Sequence, residues 1–226
     1  MGKIVIIIPA YNPNERLVEL VEKINTEIIV IDDGTMKKRA YIFKKISLSA
    51  IVLCNKENKG KGYSLKKGFK YVEDNFQEDD IIGVITVDAD GQHSVEDIQK
   101  IIYKMKENYY KDKEKIILGN RNFKKKGIPI KNKIGNIISS YIFKKKNGIY
   151  VKDTQTGLRG IPIKYLQEMQ KITGEGFEYE QNMLKKIIKN NIPYEEIEIE
   201  TIYHKNNATN FKILKDSYKI IKSMLT

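Results

Sequence analysis

Two acidic clusters each follow a short, strongly apolar run. Asp32-Asp33-Gly34-Thr35 comes directly after Glu27–Ile31, and Asp88-Ala89-Asp90-Gly91-Gln92 comes directly after Ile81–Val87. An apolar strand that runs into carboxylates must release them at its end, because the burial of unpaired charges is costly. Hard oxygen ligands of this kind suit Mg²⁺ or Mn²⁺ held together with waters and substrate phosphates. The chemistry indicated is the stabilisation of a phosphate group by a metal.

The second cluster has the spacing that such a site needs. In an extended chain, Asp88 and Asp90 project to the same side. Gly91 permits a sharp turn that brings Gln92 back within reach of them. Strand-end Asp-x-Asp pairs are also frequent in loops and helix caps, and the residues alone leave that alternative open. His93 is interpreted as a loop or helix-entry residue rather than a ligand.

The first half of the chain alternates apolar runs with helical patterns. Strands are predicted at Lys3–Ile8, Glu27–Ile31, Ala50–Leu53, Ile81–Val87 and Ile116–Leu118. Helices are predicted at Asn14–Ile24 and Gly62–Val72. A lysine-rich helix is predicted to follow the second strand and to end at about Ile46, and Ser94 is predicted to cap a further helix. This alternation predicts an α/β fold with a doubly wound, mostly parallel central sheet flanked by helices. Its ligands would lie at the carboxyl ends of the strands.

The second half is less regular. Helices are predicted at Asn132–Phe143, Lys164–Ile172, Phe177–Lys189 and Phe211–Met224. Tyr194–Thr201 alternates acidic and apolar residues, which is typical of a strand with one wet face. Repeats, linkers and low-complexity tracts are missing from the sequence, so we predict one domain over residues 1–226.

The composition suits a single domain without a membrane span. Of the 226 residues, 41% are hydrophobic, which is enough to fill one core. We expect no transmembrane helix and no signal peptide, because the longest apolar runs have only the length of a strand. The single cysteine, Cys54, favours a reducing cytoplasm and is expected to be buried in a strand.

The basic residues are in excess and partly clustered. The formal net charge is +12, and Lys124–Lys126 and Lys144–Lys146 each follow a phenylalanine. Such a chain could contact nucleic acid, an anionic membrane or a phosphorylated ligand, or it could have a lysine-rich solvated surface. A nucleic-acid-binding or scaffold protein would have no reason to place carboxylates at strand ends, so nucleic acid is not the expected partner.

Taken in order, the short motifs resemble those of family-2 GT-A glycosyltransferases, in the branch of dolichyl-phosphate mannosyltransferase. The matching segments are Pro9–Asn12 with Glu15, Ile31–Thr35, Asn58–Gly62, Val87–Gln92, Gly119–Arg121, Asp153–Arg159, Phe177–Glu180, and Glu198–Tyr203 with Thr209–Phe211. The resemblance covers nearly the whole chain. It implies the GT-A (nucleotide-diphospho-sugar transferase) fold, with a nucleotide-sugar-binding half over residues 1–120. An acceptor-binding half and a C-terminal helix would occupy residues 121–226.

The resemblance also implies roles for individual residues. The UDP- or GDP-linked donor would be bound by Pro9, Tyr11, Asn12, Glu15, Asp32, Asp33, Lys61, Asp88, Ala89 and Asp90. Mg²⁺ or Mn²⁺ would be held by Asp88, Asp90 and Gln92. The acceptor, a lipid phosphate or a glycan, would be bound by Arg121, Gln155, Thr156 and Arg159, since a guanidinium grips phosphate in a bidentate manner.

The implied reaction inverts the anomeric carbon in a single displacement. A hydroxyl acceptor needs a base, for which Asp153 is the first candidate and Glu178 and Glu180 follow, with Arg121 as a further catalytic residue. The two glutamates could instead cap or brace their helix. A polyprenyl phosphate is already anionic and needs no base. The sequence does not choose between these acceptors.

The sequence departs from the family pattern in two places. Gly174-Glu175-Gly176 stands where many relatives have an arginine, and Thr209-Asn210-Phe211 replaces Ser-His-Phe. The first departure affects part of the acceptor-phosphate site that the resemblance implies. The helix Asn132–Phe143, between the two lysine triplets, is predicted to meet an anionic membrane on its inner, cytoplasmic face. The alternative is an ordinary amphipathic helix packed on its own domain.

Other classes of nucleotide-binding protein fit less well. A dinucleotide-binding dehydrogenase needs Gly-x-Gly-x-x-Gly after the first strand, where this chain has Pro9-Ala10-Tyr11-Asn12. No segment matches the phosphate-binding loop of the P-loop NTPases, and the glycine-rich loop typical of sugar nucleotidyltransferases is also missing. A protein that binds the nucleotide sugar without turnover remains an alternative.

Overall fold

Seven strands form one sheet in the computed structural model, which describes residues 2–76, 80–123, 130–200 and 202. The strands are β1 (Lys3–Ala10), β2 (Ile28–Asp32), β3 (Ile51–Cys54), β4 (Ile81–Thr86), β5 (Ile116–Arg121), β6 (Arg159–Pro162) and β7 (Tyr194–Ile199). Their order across the sheet is β3-β2-β1-β4-β6-β5-β7. All neighbours are parallel except β6, which runs antiparallel to β4 and β5. The predicted mostly parallel sheet is confirmed.

The strand β6 is the element that the sequence pattern did not indicate. It is only four residues long and begins with Arg159 and Gly160, so it lacks an apolar run. All four residues are nevertheless buried. A side chain at Gly160 would collide with Met105, and one at Gly83 would collide with the backbone of Ile161. Glycine at these positions lets β6 lie between β4 and β5 beneath a helix.

Helices cover both faces of the sheet. They are α1 (Glu15–Lys23), α2 (Tyr41–Ile46), α3 (Lys61–Asn75), α4 (Val95–Tyr110), α5 (Ile130–Asn147), α6 (Leu166–Gln170) and α7 (Glu178–Lys189). One core cluster contains residues of α1, α2 and α4, and the other contains residues of α3, α5, α6 and α7. Alternate residues of β1 enter the two clusters, as the two-residue period of a strand requires.

Several predicted elements differ in detail. The lysine-rich helix before Ile46 is a 3₁₀ turn followed by the short α2, and most of the predicted helix Lys164–Ile172 is likewise a 3₁₀ turn followed by α6. The expected burial of Cys54 is wrong, because this residue ends β3 at an edge of the sheet and is exposed. The predicted helix Phe211–Met224 and the triplet Lys124–Lys126 lie outside the described residues.

The helix α4 ties the end of the described chain to the body of the domain. The hydroxyl of Ser94 accepts a hydrogen bond from the backbone N–H of Asp97, so the predicted cap is confirmed. The buried carboxylate of Asp97 in turn accepts from Lys100 and from the backbone N–H of Glu200. The N–H of Ile202 donates to the carbonyl of Gln92. Ile202 therefore lies beside the second acidic cluster.

Replacement of Ser94 by alanine should destabilise the domain by about 1 kcal/mol, because the first turn of α4 loses its side-chain acceptor. Urea unfolding at equilibrium measures this loss. Ser47→Ala is the control, since the Ser47 hydroxyl only donates to the carbonyl of Lys44 at an exposed helix end. Equal unfolding free energies for the two variants would contradict the assigned cap.

Candidate functional site

The loops after β1 and β2 are tied together by hydrogen bonds. The N–H of Asn12 donates to the hydroxyl of Thr35, and the N–H of Met36 donates to the side-chain carbonyl of Asn12. Asn12 has a φ of 50°, a conformation that asparagine tolerates better than most residues. The N–H of Asp33 donates to the carbonyl of Ala10. Hydrogen bonds thus connect the segment after β1 with the segment after β2.

Asp33 uses its buried carboxylate to fix the next loop. Its oxygens accept hydrogen bonds from the backbone N–H groups of Lys59 and Gly60 and from the side-chain amide of Asn55, each at 2.9 Å. Asp32 is half-buried and accepts one hydrogen bond, from the N–H of Thr35. The contacts of Asp33 therefore position the loop that leads into α3, and its assignment to the donor remains a prediction.

Lys61, the first residue of α3, places its ammonium group between two carboxylates. The Nζ atom lies 2.6 Å from Oδ1 of Asp88 and 2.9 Å from Oε1 of Glu180, and the side chain is 12% exposed. It also lies over the ring of Phe177, 5.8 Å from the centroid. Burial disfavours the charged ammonium, but the two carboxylates outweigh burial and hold the pKa of Lys61 above its ordinary value.

Close contact between α3 and α7 delivers Lys61 to this position. A side chain at Gly62 would collide with Tyr179 of α7, and one at Gly60, where φ is 102°, would collide with the carbonyl of Glu175. The N–H of Tyr63 donates to that same carbonyl. The glycines of the Gly60-Lys61-Gly62 segment therefore serve the approach of two helices, with the lysine between them.

The second acidic cluster folds back on itself. Residues 89–90 form a turn, so the extended arrangement predicted for Asp88 and Asp90 is wrong. Gly91 has a φ of 75°, and both the backbone N–H and the side-chain amide of Gln92 donate to Asp90. The predicted return of Gln92 at the glycine turn is confirmed.

The two carboxylates of this cluster lie within electrostatic reach of each other. Burial and the charge of Asp88 raise the pKa of Asp90. Burial also disfavours the charged form of Asp88, but Lys61 and a hydrogen bond with His93 hold the pKa of Asp88 well below its ordinary value. His93 is buried, with its Nε2 atom 3.4 Å from Oδ2 of Asp88.

This donor set fits a divalent metal that is also coordinated by substrate. Within the described ranges, no three His, Cys, Asp or Glu side chains are grouped in a way that could hold a metal ion. Asp88 and Asp90 supply two crowded carboxylates, whose mutual repulsion a divalent cation offsets. A site with two protein carboxylates and further oxygens from phosphate and water is the kind that Mg²⁺ prefers.

Asp153 and Arg121 form a second polar group, at the end of β5. The guanidinium donates from Nε to Oδ2 of Asp153 at 2.5 Å and from Nη2 to Oδ1 at 2.9 Å. The N–H of Gln155 also donates to this carboxylate, which is 1% exposed. Both oxygens of Asp153 are therefore engaged with a cation, and the carboxylate orients Arg121.

Arg159 is an internal cation. It is 0% exposed, and it donates to the backbone carbonyls of Thr156 and Glu180. Burial lowers the pKa of Arg159, while the carboxylates of Glu180, Asp153 and Asp88 oppose that shift. Contact between Arg159 and an acceptor would require that the guanidinium become exposed, and this assignment stays a prediction.

The remaining candidate residues occupy varied positions. Glu178, the first residue of α7, accepts hydrogen bonds from the N–H groups of Glu175 and Gly176 and so braces the segment before its helix. Glu15 is exposed and forms an ion pair with Lys45, whose ammonium lowers the pKa of the carboxyl through a hydrogen bond. Gln155 is exposed and Thr156 is buried. Half-buried residues near the strand ends are Pro9, Tyr11 and Ala89.

Three residues of the site were missed from the sequence. His93 contacts Asp88, Asn55 supports Asp33, and Gly157 leaves room beside the Asp88 carboxylate, which a side chain there would strike. Asn55 follows β3 as the acidic clusters follow β2 and β4, so its place at a strand end was an available signal. The contact at Gly157 depends on the missed strand β6.

Comparison with known families gives a match over most of the chain. The model of the family described as Glycosyl transferase family 2 matches residues 5–166. The UDP-N-acetylglucosamine–dolichyl-phosphate N-acetylglucosaminyltransferase of Methanococcus voltae is 28% identical over 249 aligned residues, which cover 98% of this chain and 94% of that protein.

Two further relatives agree with this match. The undecaprenyl-phosphate 4-deoxy-4-formamido-L-arabinose transferase of Salmonella paratyphi B is 30% identical over 120 residues, which cover 47% of this chain and 35% of that protein. The crystal structure of glucosyl-3-phosphoglycerate synthase from Mycobacterium tuberculosis, in complex with Mn²⁺, UDP and glucosyl-3-phosphoglycerate, has a TM-score of 0.66 at 13% identity. It covers 99% of this chain and 79% of that chain. The structural likeness supports the predicted GT-A fold.

Replacement of Asp33 by alanine should destabilise the domain by about 2–3 kcal/mol, because the variant removes the charged acceptor of two part-buried backbone N–H groups and of the Asn55 side-chain amide. Asp32→Ala is the matched control. It removes one acceptor at a half-buried position and should cost about 1 kcal/mol. Guanidinium unfolding of both proteins measures the difference. A smaller loss for Asp33→Ala than for Asp32→Ala would overturn the structural role assigned to Asp33.

Proposed function

The chain belongs to glycosyl transferase family 2, and on that premise we propose that it transfers a sugar from a nucleoside-diphosphate sugar to a polyprenyl phosphate at a membrane surface, with a divalent metal. The observation that carries the choice of acceptor is the engagement of all three carboxylates that were candidates for a catalytic base. Asp153 is paired with Arg121, Glu180 with Lys61, and Glu178 with backbone N–H groups. An acceptor that is already anionic needs none of them.

The donor is assigned to the crevice between the ends of β1 and β4. The chain connects β1 to β2 on one side and then returns across β1 to form β4 on the other, and ligands of α/β sheets bind where the strand order reverses in this way. The loops there carry Tyr11, Asp32 and Asp88. Residues 1–120 would thus bind the donor, and residues 121–226 would bind the acceptor.

The charged groups of the crevice suit a diphosphate. Asp88, Asp90 and Gln92 would hold Mg²⁺ or Mn²⁺, which neutralises the charge that develops on the leaving diphosphate. Lys61 lies next to Asp88 and supplies a further positive charge from the protein. The Mn²⁺ and UDP bound by the mycobacterial synthase support this assignment.

Arg121 is the residue proposed to bind the acceptor phosphate. Its bidentate pair with Asp153 fixes the guanidinium plane, and its side chain retains 15% exposure. The names of the Methanococcus and Salmonella relatives each include a polyprenyl-phosphate acceptor. A phosphate oxygen would attack the anomeric carbon while the bond from that carbon to the diphosphate oxygen breaks. The products are a polyprenyl-phosphate sugar and a nucleoside diphosphate.

Sugar transfer to lipid should require Asp90. Purified protein, Mn²⁺, radiolabelled UDP- or GDP-sugars and polyprenyl phosphate should yield label that partitions into organic solvent. Chelator or Asp90→Ala should lower the rate by at least about a hundredfold, in line with the several kcal/mol that a metal contributes to the transition state. Asp74→Ala, at an exposed ion pair with Lys70, is the control and should remain active.

Two results would count against this proposal. Label that appears on a glycan but not on lipid would contradict the acceptor. Binding of a nucleotide sugar, measured by calorimetry, without release of nucleoside diphosphate under any of these conditions would identify a binding protein without turnover.

The contact with membrane is assigned to α5, which faces its apolar residues outward. The side chains of Ile134, Ile137, Ile138 and Tyr141 are each more than half exposed. The buried side of the helix carries the polar residues Asn136, Ser139 and Ser140, followed by Phe143 near its end. An ordinary amphipathic helix packed on its own domain would have the reverse arrangement.

Polar contacts hold α5 in this orientation beside the proposed acceptor residues. Asn136 and Ser140 donate to the carbonyl of Lys152, and the Ser139 hydroxyl lies 2.6 Å from that of Thr154. Lys144–Lys146 at the end of the helix are exposed. We propose that the isoleucines enter the headgroup region while the lysines meet anionic lipid. In the described part of the chain, no helix combines the length and apolarity needed to cross a bilayer.

Polar substitution of this face should weaken vesicle binding without loss of stability. The triple variant Ile134→Ser, Ile138→Ser, Tyr141→Ser should sediment with anionic vesicles at least about tenfold less well, since each side chain loses roughly 1 kcal/mol of apolar burial in lipid. Tyr103→Ser, which alters a tyrosine that is 71% exposed on α4, is the control. Unchanged sedimentation of the triple variant would exclude α5 as the contact.

A further inference from the structure

Lys61 neutralises a carboxylate that the proposed metal site needs. Its Nζ atom lies 2.6 Å from Oδ1 of Asp88, which is closer than the 2.9 Å that separates it from Oε1 of Glu180. His93 faces the second oxygen of Asp88 at 3.4 Å. Gly157 also lies next to this carboxylate, which a side chain at position 157 would strike. Asp88 is thus held in place with a protein cation already beside it.

Charge balance explains why this lysine is present. Three carboxylates, Asp88, Asp90 and Glu180, lie within electrostatic reach of Lys61, and Arg159 is a second cation that interacts with Asp88 and Glu180. Without a lysine, the group would hold two more negative charges than positive ones in a largely buried place. Such an imbalance is costly when water is excluded.

We propose that Lys61 is an internal counter-ion that competes with the divalent metal for Asp88, so that the metal binds weakly alone and enters together with the diphosphate. The inference rests on the proposed function, because it concerns the metal and nucleotide of the same site. It adds a role for Lys61 that differs from the direct contact with the donor implied by the family resemblance.

Glu180 makes the exchange possible. It forms an ion pair with the ammonium of Lys61 at 2.9 Å, so the lysine can leave Asp88 without losing all of its partners. Glu180 is itself 6% exposed and is carried by α7, against which α3 is packed at Gly62. Glu180 is therefore a positioning residue that acts through Lys61.

A diphosphate changes the balance of the competition. Metal alone would add a dication beside Lys61 and Arg159, and diphosphate alone would add negative charge beside Asp88 and Asp90. When both are present, these costs are offset. By linkage, the factor by which the nucleotide raises the affinity for metal must equal the factor by which the metal raises the affinity for nucleotide.

The test is the binding of Mn²⁺ to nucleotide-free protein, followed by the paramagnetic resonance signal of free Mn²⁺. Lys61→Met should bind Mn²⁺ alone at least about tenfold more tightly than the unmodified protein, because Asp88 loses its competing cation. Addition of UDP or GDP should raise the Mn²⁺ affinity of the unmodified protein strongly and that of Lys61→Met only slightly.

Two further variants control for charge and for folding. Lys59→Met removes the same charge from an exposed lysine two residues away, which pairs with Glu57, and should bind Mn²⁺ as the unmodified protein does. Glu180→Gln should have the opposite effect from Lys61→Met. It leaves Lys61 with Asp88 as its remaining carboxylate partner and should weaken the binding of Mn²⁺ alone by severalfold. This variant keeps the test available if Lys61→Met does not fold.

The outcomes separate this inference from the proposed function. Unchanged affinity of Lys61→Met for Mn²⁺ alone, or tighter binding by Glu180→Gln, overturns the competition even if UDP-dependent metal binding and sugar transfer are intact. Failure of the unmodified protein to bind any nucleoside diphosphate, with or without Mn²⁺, overturns the proposed function itself.

Discussion

The carboxylates at one edge of the sheet cannot lie together unless each is paired, and much of the molecule is arranged around that requirement. Asp33 is paired with backbone N–H groups, Asp88 with Lys61, and Asp153 with Arg121. Each pair joins elements that are distant in sequence, so the satisfaction of charge also closes the fold. Asp33 and Asp153 are buried, so neither carboxylate could be left to water in place of a protein partner.

Close backbone approach is the second condition for this arrangement. Gly60 and Gly62 let α3 touch α7, and Gly157 lets the segment before β6 touch Asp88. The antiparallel β6 brings Arg159 beneath the same group of carboxylates. Arg159, from the half of the chain assigned to the acceptor, thereby supplies positive charge near Asp88, from the half assigned to the donor.

The sequence predicted the parallel strands, the acidic clusters and the turn at Gly91, because each leaves a local pattern. Long-range pairing leaves none. Nothing near Asp153 indicates that Arg121, 32 residues away, occupies both of its oxygens. Periodicity identified α5 as amphipathic but could not tell which face turns inward, and burial of Ser139 and Ser140 in place of the isoleucines depends on partners at residues 152–154. The strand that contains Arg159 has no apolar run, and it is recognised only by its pairing with β4 and β5.

The alternating glutamates of β7 have a consequence for association between copies of the chain. Among the described residues β7 is the outermost strand on its side of the sheet, and an open strand edge offers unpaired backbone groups to any other extended chain. Glu195 pairs with Lys104, and Glu196 lies 3.8 Å from the ammonium of Lys152. A second strand that aligned here would have to strip water from these charges. The charged side chains of Glu195 and Glu196, on opposite faces of β7, therefore disfavour the pairing of β7 with a strand of another copy.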